Sequence, residues 1–226
     1  MMKKGSRSTP ARDVDRLGRL YIEPTNRCNL DCRTCMRQGW EEGLGFMDSP
    51  LFAEILSGLR AFPRAPGIFF GGYGEPLSHP RIADMVALAK AAGGEVELIS
   101  NGILLDAAMA DRLVAAGLDR LWVSVDGASP ASYADVRLGD HLPEIIANLE
   151  SLRQRKSGIE LGISFVAMRR NIADLPAVLD LAAKLGAGRF SLSNVEPYTT
   201  DMEREVLYGR ELFSHLPEGG LSLIHI

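Results

Sequence analysis

The chain has three cysteines, Cys28, Cys32 and Cys35, and they form a single C-x3-C-x2-C run. An odd count in so short a window does not suit a disulfide framework, which needs an even number of cysteines spread over the fold. Thiolates are the usual ligands of iron–sulfur clusters, and close spacing lets one loop wrap a compact cluster. Three thiolates bind three irons of a four-iron cube and leave the fourth iron open to an outside ligand. The run therefore predicts a [4Fe–4S] cluster in a reducing compartment.

Other uses of these cysteines compete with this prediction. A structural zinc site needs four ligands, and the nearest downstream histidine, His79, is remote in sequence from Cys35. The missing fourth ligand also disfavours a non-catalytic metal-binding module. An electron carrier binds iron–sulfur clusters too, but such carriers usually hold each cluster with four cysteines. An iron–sulfur electron carrier stays open as the alternative function.

A glycine-rich segment, Gly71–Pro76 (GGYGEP), follows the second predicted strand. Glycine permits a close approach of the backbone to a ligand, which makes Gly72, Gly74 and the adjacent Glu75 candidate binding positions. Taken alone, the segment is also typical of a plain strand-to-helix turn. Its place one βα unit after the cysteine loop favours a ligand site.

Polar residues end the next predicted strands in the same way. They are Ser100 and Asn101 after the third strand and Ser124 and Asp126 at the end of the fourth, with Arg137 a little further along the chain. Serine and aspartate at a strand end often only cap the following helix, and Arg137 could lie on the surface. The carboxyl ends of parallel strands converge on one face, where α/β barrels build their sites. As an ordered set these residues favour a common site.

The cysteine run and the glycine-rich segment together resemble the radical S-adenosylmethionine (SAM) superfamily, and the resemblance covers roughly residues 18–194. The resemblance implies that the amino and carboxylate groups of SAM chelate the open iron. It also implies that an electron from the cluster splits SAM into methionine and a 5′-deoxyadenosyl radical, which abstracts hydrogen from a substrate. The protein would position the cofactor and exclude side reactions, with no catalytic residue beyond the cluster and SAM.

The resemblance also gives roles to individual residues. It places the SAM amino group at the glycine-rich segment, through Glu75 and the backbone around Gly72 and Gly74. It places the SAM ribose and carboxylate near the polar strand ends, with Arg137 pairing with the carboxylate through its planar fork; the strand-end residues are Ser100, Asn101, Ser124 and Asp126. Thr34 stands where the family often has an aromatic residue. That departure puts the usual ring packing near the adenine in doubt.

Longer stretches narrow the resemblance to one branch. The segments IEPTNRCNLDCRTC, VAMRRNIADL and VEPYT look most like cofactor- and peptide-maturation enzymes related to MoaA- and SPASM-type proteins. Within that branch they are most similar to maturases linked to tungsten-dependent oxidoreductases. This branch implies two partners, a reducing electron donor of ferredoxin or flavodoxin type and a substrate that is a cofactor precursor or a peptide.

Composition sets broader limits. The 226 residues are 46% hydrophobic and 24% charged, which is ordinary for a globular protein. A net charge of −4 argues against nucleic acid as a partner, since a nucleic-acid-binding domain usually carries a basic stripe. The sequence shows neither a signal-peptide pattern nor an apolar run of membrane-spanning length. These features predict a cytoplasmic protein that does not bind membranes.

The residues that could do chemistry are joined by a regular alternation of strands and helices. Apolar patterns and turn signals predict strands over 19–23, 67–70, 95–99, 120–125, 160–167 and 190–194. Predicted helices begin at 48 or 49 and cover 80–92, 106–116, 130–136, 143–155, 175–185 and 202–213. Strands alternating with helices imply a parallel sheet. The prediction is an α/β fold, a partial (β/α)6 TIM-type barrel, with a doubly wound open sheet as the competing architecture.

The ends of the chain differ from this pattern. We expect a flexible N-terminal arm over 1–17, a radical SAM core domain over 18–213 and a truncated tail over 214–226. One DNA spelling of the last six residues, LSLIHI, matches the end of a transposon-based sequencing adapter. The expectation is that residues 221–226 are an artefact and that the natural C-terminus is missing, which a longer gene coding for LSLIHI in place would contradict.

Overall fold

Six parallel strands build one sheet, and they lie side by side in the order of the sequence. The computed structural model describes residues 17–155 and 157–207. The strands are β1 Arg19–Ile22, β2 Gly67–Phe70, β3 Val96–Ser100, β4 Arg120–Ser124, β5 Glu160–Ala167 and β6 Arg189–Asn194. The strand order of a doubly wound sheet reverses at a switch point, so this sequential order excludes that alternative. The sheet curls into a half-barrel, which confirms the predicted partial (β/α)6 barrel.

Helices connect the strands, as the right-handed βαβ rule requires. They are α1 Ser49–Leu59, α2 Ile82–Ala91, α3 Ala107–Ala116, α4 Pro130–Arg137, α5 Leu142–Gln154, α6 Leu175–Leu185 and α7 Thr200–Glu203. Aspartate side chains cap two of them as the sequence indicates. Asp48 accepts from Leu51 N at 2.8 Å and Asp106 accepts from Met109 N at 2.7 Å. Within the described residues no helix has the length and apolar character needed to cross a membrane.

The prediction of one helix over 202–213 is wrong in its first part. Thr199 caps α7, which ends at Glu203. The chain then turns toward the β5 loop, where Arg169 N donates to Glu205 O at 3.0 Å and Arg170 pairs with the Glu205 carboxylate at 2.8 Å. These tertiary contacts outweigh the helical pattern. Residues 208–213, the predicted tail and the predicted arm up to residue 16 lie outside the described residues.

The two faces of the sheet carry different side chains, as the two-residue period of a strand requires. One face packs beneath the helices and forms the core. Its least exposed residues, at 0–1%, include Ile68, Phe70, Leu98, Leu121, Val123, Ile163 and Phe165. The alternate positions face the concave side and include Tyr21, Phe69, Glu97, Arg120 and Trp122. The outer face of the sheet is therefore buried beneath the helices, and the concave face is the one available to a ligand.

A buried ion-pair network lies at the amino-terminal end of the concave face. The Arg120 side chain is 9% exposed and pairs with Glu97 at 2.9 Å, Glu95 at 2.9 Å and Glu160 at 2.6 Å. Glu97 also pairs with Arg19. The network joins β1, β3, β4 and β5 at the end of the sheet opposite the strand-end residues. It therefore cross-links four of the six strands at that end of the sheet.

Glu97 is ionised within this network in spite of its burial. Burial by itself raises the pKa of a carboxyl group. Hydrogen bonds from Trp122 and Arg120, with the charge of Arg19, outweigh that effect and lower the pKa of Glu97. The Trp122 Nε1 donates to Glu97 Oε2 at 2.8 Å. Each oxygen of the buried carboxylate thus has a partner. If one partner were removed, the free-energy cost of burying the charge would no longer be offset.

Candidate metal and cofactor site

The loops that follow β1, β2, β3 and β4 meet at the carboxyl end of the sheet. Glu75 N, after β2, donates to Arg27 O in the cysteine loop at 2.7 Å. Asn101 N, after β3, donates to Glu75 Oε2 at 2.7 Å. Arg33 N donates to Val136 O of α4 at 3.0 Å. Direct hydrogen bonds therefore bring together the four loops that the sequence predicts to share a site.

The cysteine loop folds tightly around its own backbone. Cys32 is 7% exposed, while Cys28 and Cys35 are half-buried, and all three are thiols. Cys35 N donates to Cys32 O at 3.0 Å, and the Gln38 side chain donates to the same carbonyl at 2.9 Å. Leu30 N donates to Cys28 Sγ at 3.5 Å. These hydrogen bonds fix the backbone that carries the three thiols.

The described residues contain no set of three or more His, Cys, Asp or Glu side chains arranged around a single metal ion. A four-iron cluster does not need its ligands to surround one ion, because each thiolate binds a different iron. The donor set fits this group: three thiols lie on one loop, and cationic side chains lie beside two of them. The type and number of these donors therefore fit a four-iron cluster.

Burial and nearby cations act on the thiols in opposite directions. Burial raises the pKa of Cys32, and the charge and hydrogen bond of Arg137 oppose it. Burial also raises the pKa of Cys28, opposed by the Leu30 backbone hydrogen bond and by the charge of Arg37. Metal ligation requires thiolates, so binding releases protons from this site. The two arginines favour the charged form that a cluster needs.

The glycine-rich segment lies against the start of the cysteine loop. A Cβ at Gly74 would lie 1.9 Å from Thr25 O, which no side chain tolerates. Glu23 Oε1 accepts from Tyr73 N at 2.5 Å and from Gly74 N at 3.2 Å. A Cβ at Gly72, where φ is 149°, would meet that same carboxylate at 2.5 Å. Both glycines are required by this close approach of β1 and the β2 loop.

Glu75 ties the second loop to the third. Its carboxylate is 2% exposed, Oε1 accepts from Leu77 N at 2.9 Å, and Oε2 accepts from Asn101 N at 2.7 Å. Burial raises the pKa of Glu75 in spite of these hydrogen bonds. Both carboxylate oxygens thus bind the backbone of the site. Its predicted contact with a SAM amino group stays a prediction.

The residues after β3 divide between a local turn and the cysteine loop. The Ser100 hydroxyl, which is buried, accepts from Gly102 N at 2.9 Å in a local turn; the helix that follows is capped by Asp106 and not by Ser100. The Asn101 side chain points to the cysteine loop, where Nδ2 donates to Asn29 Oδ1 at 2.8 Å and lies 3.9 Å from Cys28 Sγ. Asn101 therefore belongs to the surroundings of the thiols.

The residues after β4 form the most buried part of the site. Asp126 is 0% exposed, and its Oδ1 accepts from Val166 N at 2.8 Å. Arg137, the last residue of α4, pairs with it at 2.5 Å between Nη2 and Oδ2. Arg137 Nη1 also lies 3.7 Å from Cys32 Sγ. Ser124 is half-buried at the end of β4.

One hydrogen-bond donor of Arg137 is not used within the described residues. Its Nε is buried and has no hydrogen-bond partner among the described residues. A buried N–H without a partner costs free energy, and an anionic ligand beside it would satisfy it. Arg137 is therefore a cation that already binds a thiol and a carboxylate and can still donate to a third group.

The sequence reasoning missed three residues of the site. Glu23 holds the glycine-rich segment, and Arg37 donates from Nη1 to Leu30 O at 3.2 Å beside Cys28. Tyr133 is fully buried with no partner for its hydroxyl among the described residues, and burial raises its pKa to about 12. Only Glu23 carried a signal, because it lies in register with the concave positions at the end of β1.

Comparisons with known proteins agree with this geometry. Residues 22–196 match the Radical SAM superfamily. The chain is 34% identical over 195 residues to the tungsten-containing aldehyde ferredoxin oxidoreductase cofactor-modifying protein of Pyrococcus furiosus, covering 84% of this chain and 54% of that protein. It is 28% identical over 219 residues to the PqqA peptide cyclase of Gluconobacter oxydans, covering 92% and 60%.

A solved structure shows the same fold at low sequence identity. Streptococcus suis SuiB bound to its precursor peptide SuiA superposes with a TM-score of 0.68 at 16% identity, over 84% of this chain and 42% of SuiB. The chain thus spans little more than half the length of the curated relatives it matches and less than half of SuiB.

Proposed function

The chain belongs to the radical SAM superfamily, and from that premise we propose that Cys28, Cys32 and Cys35 hold a [4Fe–4S] cluster beside a SAM site. When bound, the cluster and SAM supply a 5′-deoxyadenosyl radical that abstracts hydrogen from a substrate. One observation carries the proposal: the cysteine loop is hydrogen-bonded directly to the glycine-rich segment, with Glu75 N donating to Arg27 O at 2.7 Å. An electron carrier has no use for the glycine-rich segment.

The chain's own residues would bind and orient the cofactor. The backbone around Gly72 and Gly74, braced by Glu75, would receive the SAM amino group. Arg137, through its unpartnered Nε, would donate to the SAM carboxylate. The remaining predicted contacts would line the ribose and carboxylate, and they are Ser100, Asn101, Ser124 and Asp126. Because Asp126 and Glu75 are 0% and 2% exposed, this end of the site excludes water, and charged hydrogen bonds are stronger there.

The proposed substrate is a cofactor precursor or a peptide. The two relatives are named for modifying a cofactor and for cyclising a peptide, and SuiB is seen with a precursor peptide. A reducing partner of ferredoxin or flavodoxin type would supply the electron. These assignments concern a chain that spans only part of its relatives.

Formation of 5′-deoxyadenosine tests the proposal. We expect the 226-residue chain, reconstituted anaerobically with iron and sulfide and then reduced, to bind about four irons and to form 5′-deoxyadenosine when SAM is added. The unreduced protein with SAM is the control and should form none. A retained cluster that yields no 5′-deoxyadenosine would favour the electron carrier over the enzyme.

Gly74→Ala is expected to impair SAM cleavage strongly. The new Cβ would lie 1.9 Å from Thr25 O and 2.8 Å from Arg27 O, so the glycine-rich segment must move away from the cysteine loop. A displacement of about 1 Å at a reacting centre costs on the order of 100-fold in rate. The rate of 5′-deoxyadenosine formation measures it.

The matched control is Gly43→Ala in the same region. A Cβ at Gly43 meets nothing within 4 Å, and we expect the rate of 5′-deoxyadenosine formation to stay close to wild type. If Gly74→Ala and Gly43→Ala had equal rates, the close approach at Gly74 would not matter for the cofactor.

A further inference from the structure

Three buried groups from two βα units, the first and the fourth, form a continuous series of contacts. Asp126, after β4, is held by Val166 N at 2.8 Å and pairs with Arg137 Nη2 at 2.5 Å. Arg137 Nη1 in turn lies 3.7 Å from Cys32 Sγ. Asp126 is 0% exposed, the Arg137 side chain 12% and Cys32 7%. A carboxylate thus orients a guanidinium, and the guanidinium faces a predicted cluster ligand.

Such a series of contacts would affect the reduction potential of a bound cluster. Hydrogen bonds to the ligand sulfurs and the net charge nearby set the reduction potentials of iron–sulfur clusters. Groups behind the ligands orient them and tune the metal. The effect is larger where water is excluded, because the local dielectric is low. Asp126, Arg137 and Cys32 all lie where little water reaches them.

The contact singles out one of the three cysteines. Cys28 accepts from a backbone amide at 3.5 Å, and its side-chain donor, Asn101, is shared with Asn29 at a shorter distance. Among the described residues, no side chain donates to Cys35 Sγ. Cys32 alone has a cationic donor against its sulfur.

We propose that Asp126 and Arg137 set the reduction potential of the cluster through Cys32, with Arg137 acting as a positioning residue for that thiolate. This inference rests on the proposed function, because it requires the cluster. Reduction adds negative charge to the cluster. The positive charge of Arg137 therefore favours the reduced cluster, and the negative charge of Asp126 opposes it.

The two residues should consequently shift the potential in opposite directions. The test is an EPR-monitored dithionite titration of the reconstituted chain without SAM, so that any contact of Arg137 with the SAM carboxylate plays no part. Arg137→Met is expected to make the midpoint potential more negative than wild type. Asp126→Asn, which keeps the shape of the side chain, is expected to make it more positive. A general loosening of the fold would not produce shifts of opposite sign.

Arg33→Met is the matched control. Arg33 follows Cys32 directly, but its side chain is 50% exposed and pairs with Asp135, so solvent screens its charge and the potential should stay near wild type. An Arg137→Met cluster with the wild-type potential would overturn the inference. If Arg137→Met does not retain a cluster, Asp126→Asn decides. A wild-type or more negative potential in Asp126→Asn overturns the inference, and a more positive potential supports it. A wild-type chain that takes up no four-iron cluster would contradict the proposed function itself.

Discussion

Cys32→Ala protein is expected to retain almost no cluster after anaerobic reconstitution, with iron falling from about four per chain to near the background level. Two thiolates cannot hold a four-iron cube. The lost ligand is also the most buried of the three, at 7% exposure, and the one that Arg137 faces. Iron and sulfide analysis with the visible absorption of the cluster measures the loss.

Asp31→Ala is the matched control for this experiment. Asp31 precedes Cys32 and is exposed, and its side chain makes no hydrogen bond or ion pair with the described residues. We expect its iron content to equal that of wild type. Unchanged iron in Cys32→Ala would count decisively against the cluster assignment. Circular dichroism of both variants separates a lost ligand from a lost fold.

The sequence predicts the barrel well because its signals are local. Buried parallel strands are short apolar runs between turn residues, and the runs 67–70 and 160–167 match β2 and β5 without change. Three of the other strands differ by one residue at one end, and β3 is shifted by one residue at both ends. The loop chemistry is equally local: the cysteine spacing and the glycine-rich segment are contiguous in sequence, and both lie at the predicted end of the sheet.

What the sequence cannot predict is set by contacts between distant residues. Glu23 and the Tyr73 amide are 50 positions apart and meet only when β1 pairs with β2. The contact between Arg137 and Cys32 spans 105 positions. The end of α7 depends on Glu205 meeting the loop after β5. Each of these contacts joins residues of different βα units, and no local sequence pattern encodes such a contact.

The ion-pair network at the other end of the barrel also joins residues that are distant in sequence. Its disruption is the second change for which we expect a large effect. We expect Arg120→Met to lower the free energy of unfolding by about 3–5 kcal/mol, the range seen when one partner of a buried ion pair is removed. Glu97, with its side chain 3% exposed, would lose its 2.9 Å partner while staying buried. Urea denaturation of the cluster-free chain, followed by circular dichroism, measures the change.

Arg189→Met separates burial from the mere loss of an ion pair. Arg189 pairs with Glu160 at 2.9 Å and Arg120 pairs with the same carboxylate at 2.6 Å, but the Arg189 side chain is 52% exposed. Exposed pairs contribute about 0–1 kcal/mol, so this variant should unfold close to wild type. Equal destabilisation by the two substitutions would show that burial is not the cause. Adding Glu97→Met to Arg120→Met should recover part of the loss, because the double variant no longer buries a carboxylate that has lost one of its two cations. Failure to recover would place the cost in the cavity that the arginine leaves and not in the charge.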